Sequence, residues 1–249
     1  MANYDGLLAE SIRMNGHNGD ELDAYLARPL GAGPFPGVVL IHHMPGWDEA
    51  SKEMVRKFAF NGYICISSNL HYRIGPGSLD DVTAAVRTAG GTPDEQFLGD
   101  FIGAMDHLRA LPYHNGKIGC IGFCSGGRQS YIAAGSVSDL DAAVDCWGGR
   151  VVMAPEDLNE RQPVAPIDMT PNINCPVLGL FGNDDVAPSP EQVDQQEEAL
   201  KANNKTYEFH RYEGAGHGFF AVDRPSYRPE QATDGWGHVF NWFGKYLSA

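Results

Sequence analysis

The chain has 249 residues, 43% of them hydrophobic and 20% charged, a length that one α/β domain can fill and a composition without the signature of collagen-like, coiled-coil or disordered chains. Its 18 Lys and Arg stand against 32 Asp and Glu, a formal net charge of -14, which repels phosphate backbones and anionic headgroups and argues against nucleic acid or a membrane as partner. Residues 1–249 are accordingly expected to form a single domain.

The amino-terminal MANYDGLLAE lacks an apolar run of secretory length, and no stretch of about 18 uninterrupted apolar residues occurs. A soluble, cytoplasmic protein is expected. Five cysteines (Cys65, Cys120, Cys124, Cys146 and Cys175) make an odd, widely spread set with no C-x-x-C pair. They read as reduced thiols, four of them core residues.

Taken in chain order, apolar strand-like runs alternate with segments of helical period, the pattern of a mostly parallel sheet covered by helices on both faces. Val38 to Ile41, apolar throughout, follows a breaker-rich Gly-Pro segment and suits a central strand buried on both faces. A helix over Glu49 to Phe60 aligns Met54, Val55, Phe58 and Ala59 and stops at Asn61-Gly62. Tyr63 to Ser67 is the next strand. The glycine-rich segment from His71 to about Gly91 reads as a loop, a candidate lid or pocket wall. Thr92-Pro93-Asp94-Glu95 predicts a capping box with proline in the first turn, opening a helix that buries Phe97, Phe101, Met105 and Leu108. Lys117 to Phe123 is a strand, as is Pro176 to Phe181. Ser189-Pro190-Glu191-Gln192 repeats the capping chemistry ahead of a helix with Val193, Ala199 and Leu200. The last helix starts near Pro229 and presents Trp236, Val239, Phe240, Phe243 and Leu247.

The chemistry concentrates at Gly122-Phe123-Cys124-Ser125-Gly126-Gly127, a G-x-C-x-G between a predicted strand and a helix beginning near Arg128. A nucleophile elbow needs glycine two positions either side of the reactive residue, because side chains there would strike the neighbouring strand and helix. The bend places residue 124 near a helix amino terminus, where peptide dipoles favour a thiolate. Cys124 is therefore the predicted nucleophile rather than a small buried hydrophobe. Ser125 lacks the symmetric glycines, and its backbone N–H is its useful group.

Such a nucleophile is followed along the chain by an acid and then a histidine. Gly182-Asn183-Asp184-Asp185 ends the strand at Phe181, and Glu213-Gly214-Ala215-Gly216-His217-Gly218 is a small-residue loop able to carry an imidazole to the elbow. His217 is the expected base and Asp185 the expected orienting acid, with Asp184 as the alternative.

The elbow GFCSGG, the GNDD turn, the GAGHGFF loop and the early HHMPGW segment together resemble the dienelactone hydrolase family, α/β hydrolases with a cysteine nucleophile, from about Glu21 to the end. The resemblance implies an α/β-hydrolase fold, a Cys124, Asp185, His217 triad, and hydrolysis of an ester or enol-lactone, as by a carboxymethylenebutenolidase, without metal or organic cofactor. In this fold the oxyanion hole uses the N–H after the nucleophile and one from a loop after an earlier strand. Those are Ser125 and Met44, since Pro45 has no N–H. The family's usual glutamate before the oxyanion residue is replaced by His43, a candidate substrate contact, and Arg73 is a candidate for a substrate carboxylate. Rival readings are a broad carboxylesterase without dienelactone activity, a metal protein using His42, His43 and His71, a redox pair of Cys120 with Cys124, and a non-catalytic binding protein on a hydrolase fold.

Overall fold

The computed structural model describes residues 6–248; residues 1–5, which open the acidic amino-terminal segment considered above, lie outside that range. Eight strands form one sheet: β1 (Leu7–Asn15), β2 (Glu21–Pro29), β3 (Phe35–Ile41), β4 (Ile64–Ser68), β5 (His114–Phe123), β6 (Ala142–Cys146), β7 (Val177–Gly182) and β8 (Tyr207–Tyr212). Their order is β1-β2-β4-β3-β5-β6-β7-β8. The run from β4 to β8 is parallel, while β1 and β2 pair antiparallel and β2 joins β4 antiparallel. Among the described residues six α-helices complete the fold: α1 (Glu49–Phe60), α2 (Leu79–Thr88), α3 (Asp94–Arg109), α4 (Ser125–Ser136), α5 (Pro190–Ala202) and α6 (Pro229–Tyr246).

The pleat sorts each central strand between two cores. On β3, Val39 and Ile41 join Phe97, Phe101, Met105 and Leu108 of α3 and Tyr131 and Ile132 of α4. Val38 and Leu40 face the other way, onto Val55, Phe58 and Ala59 of α1 and Val239 and Phe243 of α6. An all-apolar strand is thus explained by a core on each side. Each fully buried aromatic or aliphatic side chain contributes about 1.5–3 kcal/mol relative to exposure, so the sheet is the rigid platform for whatever its carboxyl ends present. Cys65, Cys120, Cys146 and Cys175 are free and buried, and Cys124 is partly exposed, as the cysteine reading required.

Three local expectations differ from the structure. The segment from His71 to Gly91 contains α2, capped by Ser78, whose side chain accepts from the Asp81 N–H. Leu79, Val82 and Val86 do fall at helical spacing, but Gly75, Pro76 and Gly77 before the helix and Gly90 and Gly91 after it gave the segment the breaker pattern of a loop. The predicted capping box at Thr92 does not form: Pro93 is the N-cap and no side chain caps the turn. Tertiary contacts supply the partners instead, with the Asp94 N–H donating to Arg161 O at 2.8 Å and the Asp94 carboxylate bound to Arg128. The helix after the elbow begins at Ser125, three residues before Arg128. β6, a strand outside those anticipated, interrupts its apolar run with the buried Asp145. The second predicted cap is present in full, with Ser189 and Gln192 exchanging bonds and Pro190 in the first turn.

The glycines of the elbow are there for space. A Cβ on Gly122 would overlap the carbonyl of Gly126, and one on Gly126 would overlap the carbonyls of Ile41 and His42. Gly237, inside α6, would meet nothing within 4 Å. Gly122→Ala should therefore destabilise the protein by at least about 3 kcal/mol, whereas Gly237→Ala should stabilise it by about 0.5–1 kcal/mol. Urea unfolding of the two variants beside the wild type checks both signs.

Candidate active site

Cys124 sits at the end of β5 as the N-cap of α4, with φ 57 and ψ -117. Its N–H donates to Cys146 O at 3.0 Å, and its carbonyl accepts from the N–H groups of Gly127 (2.9 Å) and Arg128 (3.2 Å). Strand and helix thus grip the residue from both sides and turn its side chain out of the sheet. Three donors converge on the sulfur: the His217 side chain and the backbone N–H groups of Ser125 and Met44. Burial opposes ionisation of the thiol, but His217, by hydrogen bond and by charge, and the two N–H groups outweigh it, so the Cys124 pKa lies below its ordinary value.

His217 arrives from the loop between β8 and α6. Its Nδ1 lies 2.8 Å from Asp185 Oδ2. Burial lowers the imidazole pKa, yet the bonds to Asp185 and Cys124 more than reverse this and push it up to about 10. Each group favours the charged form of the other. Asp185 is 5% exposed and its other oxygen accepts the Ala187 N–H at 3.0 Å, which leaves one oxygen for His217. Asp184 is exposed and meets the histidine loop through its backbone N–H to Ala215 O at 2.9 Å. Of the two candidate acids, Asp185 is the one that reaches the imidazole.

Cys124 opens onto two cavities. The larger, about 740 Å³, is lined by Met44, Ser125, Arg87, Arg128, Arg150 and Asp157 among others. The smaller, about 80 Å³, has walls from His43, Met54, Phe123, Trp147 and Ala221. Residues Gly90 and Gly91 with Arg87 form part of the larger rim, so the 71–91 segment is a pocket wall, as expected. Sequence reasoning missed Arg87 and Arg150. Arg150 bonds the Asp157 carbonyl (2.9 Å) and the Gln162 side-chain oxygen (3.3 Å), neither of them a carboxylate. Arg128 is different: its charge is met by Asp94 at 2.5 and 3.0 Å.

Arg73 is a correction. Its Nε bonds Asp20 at 2.8 Å and its two terminal nitrogens bond Asp100 at 2.8 and 2.9 Å, and it lines neither cavity at Cys124. A buried carboxylate, Asp100, claims the guanidinium that the sequence left available. His43 does line the smaller cavity, with Nε2 donating to Asp48 Oδ2 at 2.5 Å. His42 has both ring nitrogens occupied, by His43 O (2.7 Å) and by the Leu70 N–H (3.2 Å), and burial pushes its pKa down to about 3. His42, His43 and His71 are not among the described groups of three side chains close enough to share a metal ion.

Beneath the elbow lies Asp145, 1% exposed, with Oδ1 accepting the Gly148 N–H at 2.8 Å and Oδ2 without a partner. Burial pushes its pKa up to about 7. The folded protein therefore keeps a proton that the unfolded chain releases near pH 4, and stability declines as pH rises toward 7. Asp145→Asn should remove that decline: relative to wild type, its stability should climb between pH 4 and 7 and level off above, as read by urea midpoints across pH. Alkylation of Cys124 by iodoacetamide at pH 6 should run at least about tenfold faster than for a peptide thiol of pKa near 8.5. In Asp185→Asn the reactive range should move to higher pH; a profile matching the peptide thiol in the wild type would contradict the ion pair.

Residues 22–247 match the model of the dienelactone hydrolase family. A Salmonella typhimurium protein provisionally named carboxymethylenebutenolidase is 34% identical over 249 residues, covering 97% of this chain and 89% of its own. A Bradyrhizobium protein provisionally named 2-oxo-3-(5-oxofuran-2-ylidene)propanoate lactonase is 26% identical, covering 94% of each. Among solved structures, a dienelactone hydrolase, so titled provisionally, from Klebsiella pneumoniae superposes with a TM-score of 0.88 at 30% identity, covering 97% of this chain and 100% of that one. With an α/β sheet, an elbow cysteine and a match across nearly its whole length, the chain belongs to the dienelactone hydrolase family.

Proposed function

We propose that the protein hydrolyses carboxylic esters, enol-lactones among them, through a thioester formed on Cys124. The observation that carries this reading is the convergence of the His217 imidazole and the Ser125 and Met44 N–H groups on one sulfur, with Asp185 behind the imidazole.

The chemistry follows from those positions. A free thiol is only a few per cent ionised at neutral pH, so the imidazolium and the two N–H groups supply the thiolate. It attacks the carbonyl carbon; a C–S bond forms and the carbonyl electron pair moves onto oxygen. The same Ser125 and Met44 N–H groups receive that oxyanion, each worth about 2.7–4 kcal/mol of barrier lowering in comparable sites. Collapse breaks the C–O bond, and the departing alkoxide or enolate takes the His217 proton. Neutral His217 then takes a proton from water as the hydroxide adds to the thioester; expulsion of the thiolate releases the acid and restores the ion pair. Asp185 holds the imidazole in the required tautomer throughout.

Arg87 and Arg150 favour a substrate with an anionic group on the side of the larger cavity. The name of the Bradyrhizobium relative describes such a compound, an enol-lactone with a carboxylate. The size of that cavity, about 740 Å³, supports a second reading, a carboxylesterase that also accepts acyl groups larger than a single lactone ring.

Cys124→Ala should lose at least about 1000-fold in turnover of p-nitrophenyl esters, lactones and dienelactones while keeping its unfolding midpoint. Rapid quenching of the wild type should give a mass increase equal to the acyl group, confined to Cys124. Retained turnover in the variant would place the chemistry elsewhere. Arg150→Gln should raise KM for a carboxylate-bearing lactone and leave a neutral ester unchanged.

A further inference from the structure

A group of side chains distant from the elbow has the makings of a metal site. β8 is the edge strand of the sheet, and the period of two puts Glu208 and His210 on one face of it. On α6, Asp234 and His238 are four apart and share a helical face. Across the gap, one ligand atom from each of Glu208, His210 and His238 lies within 4.8 Å of the others. Glu208 Oε1 is 2.6 Å from His210 Nε2 and 3.8 Å from His238 Nδ1.

The remaining nitrogen of His238 is also accounted for. Its Nε2 is 3.2 Å from Asp234 Oδ2, and the Tyr212 hydroxyl donates to the same Asp234 oxygen at 3.0 Å. A carboxylate that holds one ring nitrogen, so that the other presents its lone pair, is the usual outer support of a metal-bound histidine. The two imidazoles stack with centroids 3.4 Å apart and planes at 25°. The nearby ammonium of Lys245 is drawn instead over the Tyr246 and Trp242 rings, at 4.7 and 5.8 Å.

We propose that Glu208, His210 and His238 bind a divalent transition-metal ion of the zinc class, with Asp234 as the positioning residue for His238, and that the ion ties the edge strand β8 to α6. Two imidazoles and one carboxylate suit zinc, and copper or nickel, rather than magnesium or calcium, which take oxygen ligands. Metal bonds of about 2.0–2.2 Å place tetrahedral donors roughly 3.4 Å apart; the 2.6 Å Glu208–His210 contact must open by about 0.8 Å and the 3.8 Å Glu208–His238 contact close by about 0.4 Å. Both are small rotations of side chains at the surface. None of the four residues lines either cavity at Cys124, so the site is independent of the chemistry proposed there.

The test is calorimetric titration of the full chain with zinc after Cys124 has been alkylated, since its thiolate and His217 would otherwise bind the ion. One zinc per chain is expected, with affinity at least about 30-fold weaker in His210→Ala and in His238→Ala, about 10–100-fold weaker in Asp234→Asn, and no uptake of magnesium. Zinc should raise the melting temperature of the wild type and leave that of the doubly substituted protein unmoved. Unchanged ester turnover in the unalkylated variants serves as the control for folding. No saturable uptake up to about 1 mM zinc, or uptake equal in wild type and both histidine variants, would overturn the proposal.

Discussion

The bend at Cys124 is the constraint from which the site follows. A side chain with a Cβ is held at positive φ, a conformation that costs roughly 1–3 kcal/mol and persists only where the surroundings over-determine it. Here they do: the residue is bonded to β6 through its N–H and to the first turn of α4 through its carbonyl, and the glycines on either side lie against backbone carbonyls with no room for a methyl group. The consequence is electrostatic. The sulfur is carried to the amino end of α4, where the Ser125 N–H is already aimed at it, and toward the loop after β3, which brings the Met44 N–H. The groups that lower the thiol pKa are the ones that would later receive the oxyanion.

Charge is distributed with similar economy. The chain is acidic overall, with a formal net charge of -14, yet Arg87, Arg128 and Arg150 line the larger cavity beside Glu156 and Asp157, and carboxylate partners decide which guanidinium groups are already neutralised. Asp94 claims Arg128 and Asp100 claims Arg73. What remains for an incoming anion are Arg87 and Arg150 in the larger cavity and Arg224 in the smaller. On the opposite side of Cys124, the walls are Phe123, Trp147, Met54 and Ala221 with His43, and Asp48 serves twice there, accepting from His43 and capping α1 through Ser51. A substrate at the sulfur therefore meets a roomy cavity lined by both arginines and carboxylates, and a narrow recess whose aromatic and aliphatic walls also include His43 and Arg224.

Much of this was legible because the signals are local. Strands buried on both faces announce themselves as unbroken apolar runs, and β3 and β7 are of that kind. The elbow is legible because its steric demand falls on two fixed positions, and the Ser189 cap because donor and acceptor are three residues apart. Short elements set among breakers, at the sheet edge or carrying a buried charge were harder. α2 buries only Val86, β1 is half exposed at the sheet edge, and β6 includes a carboxylate that hydropathy would place outside. The Thr92 cap failed for the opposite reason: its local chemistry was correct, but Arg161 and Arg128 offered the turn better partners.

The sequence by itself determined the sheet-and-helix alternation, the residue at the bend, and the order along the chain of elbow cysteine, paired aspartates and loop histidine, since each depends on near neighbours or on order alone. Only the tertiary structure decided that Asp185 and not Asp184 reaches the imidazole, that Arg73 is consumed by Asp100 while Arg150 faces the cavity, and that Glu208 and His210 meet His238. Those outcomes depend on which groups from distant parts of the chain come within about 3–4 Å of each other, a distance at which hydrogen bonds and ion pairs act and which no reading of adjacent residues contains.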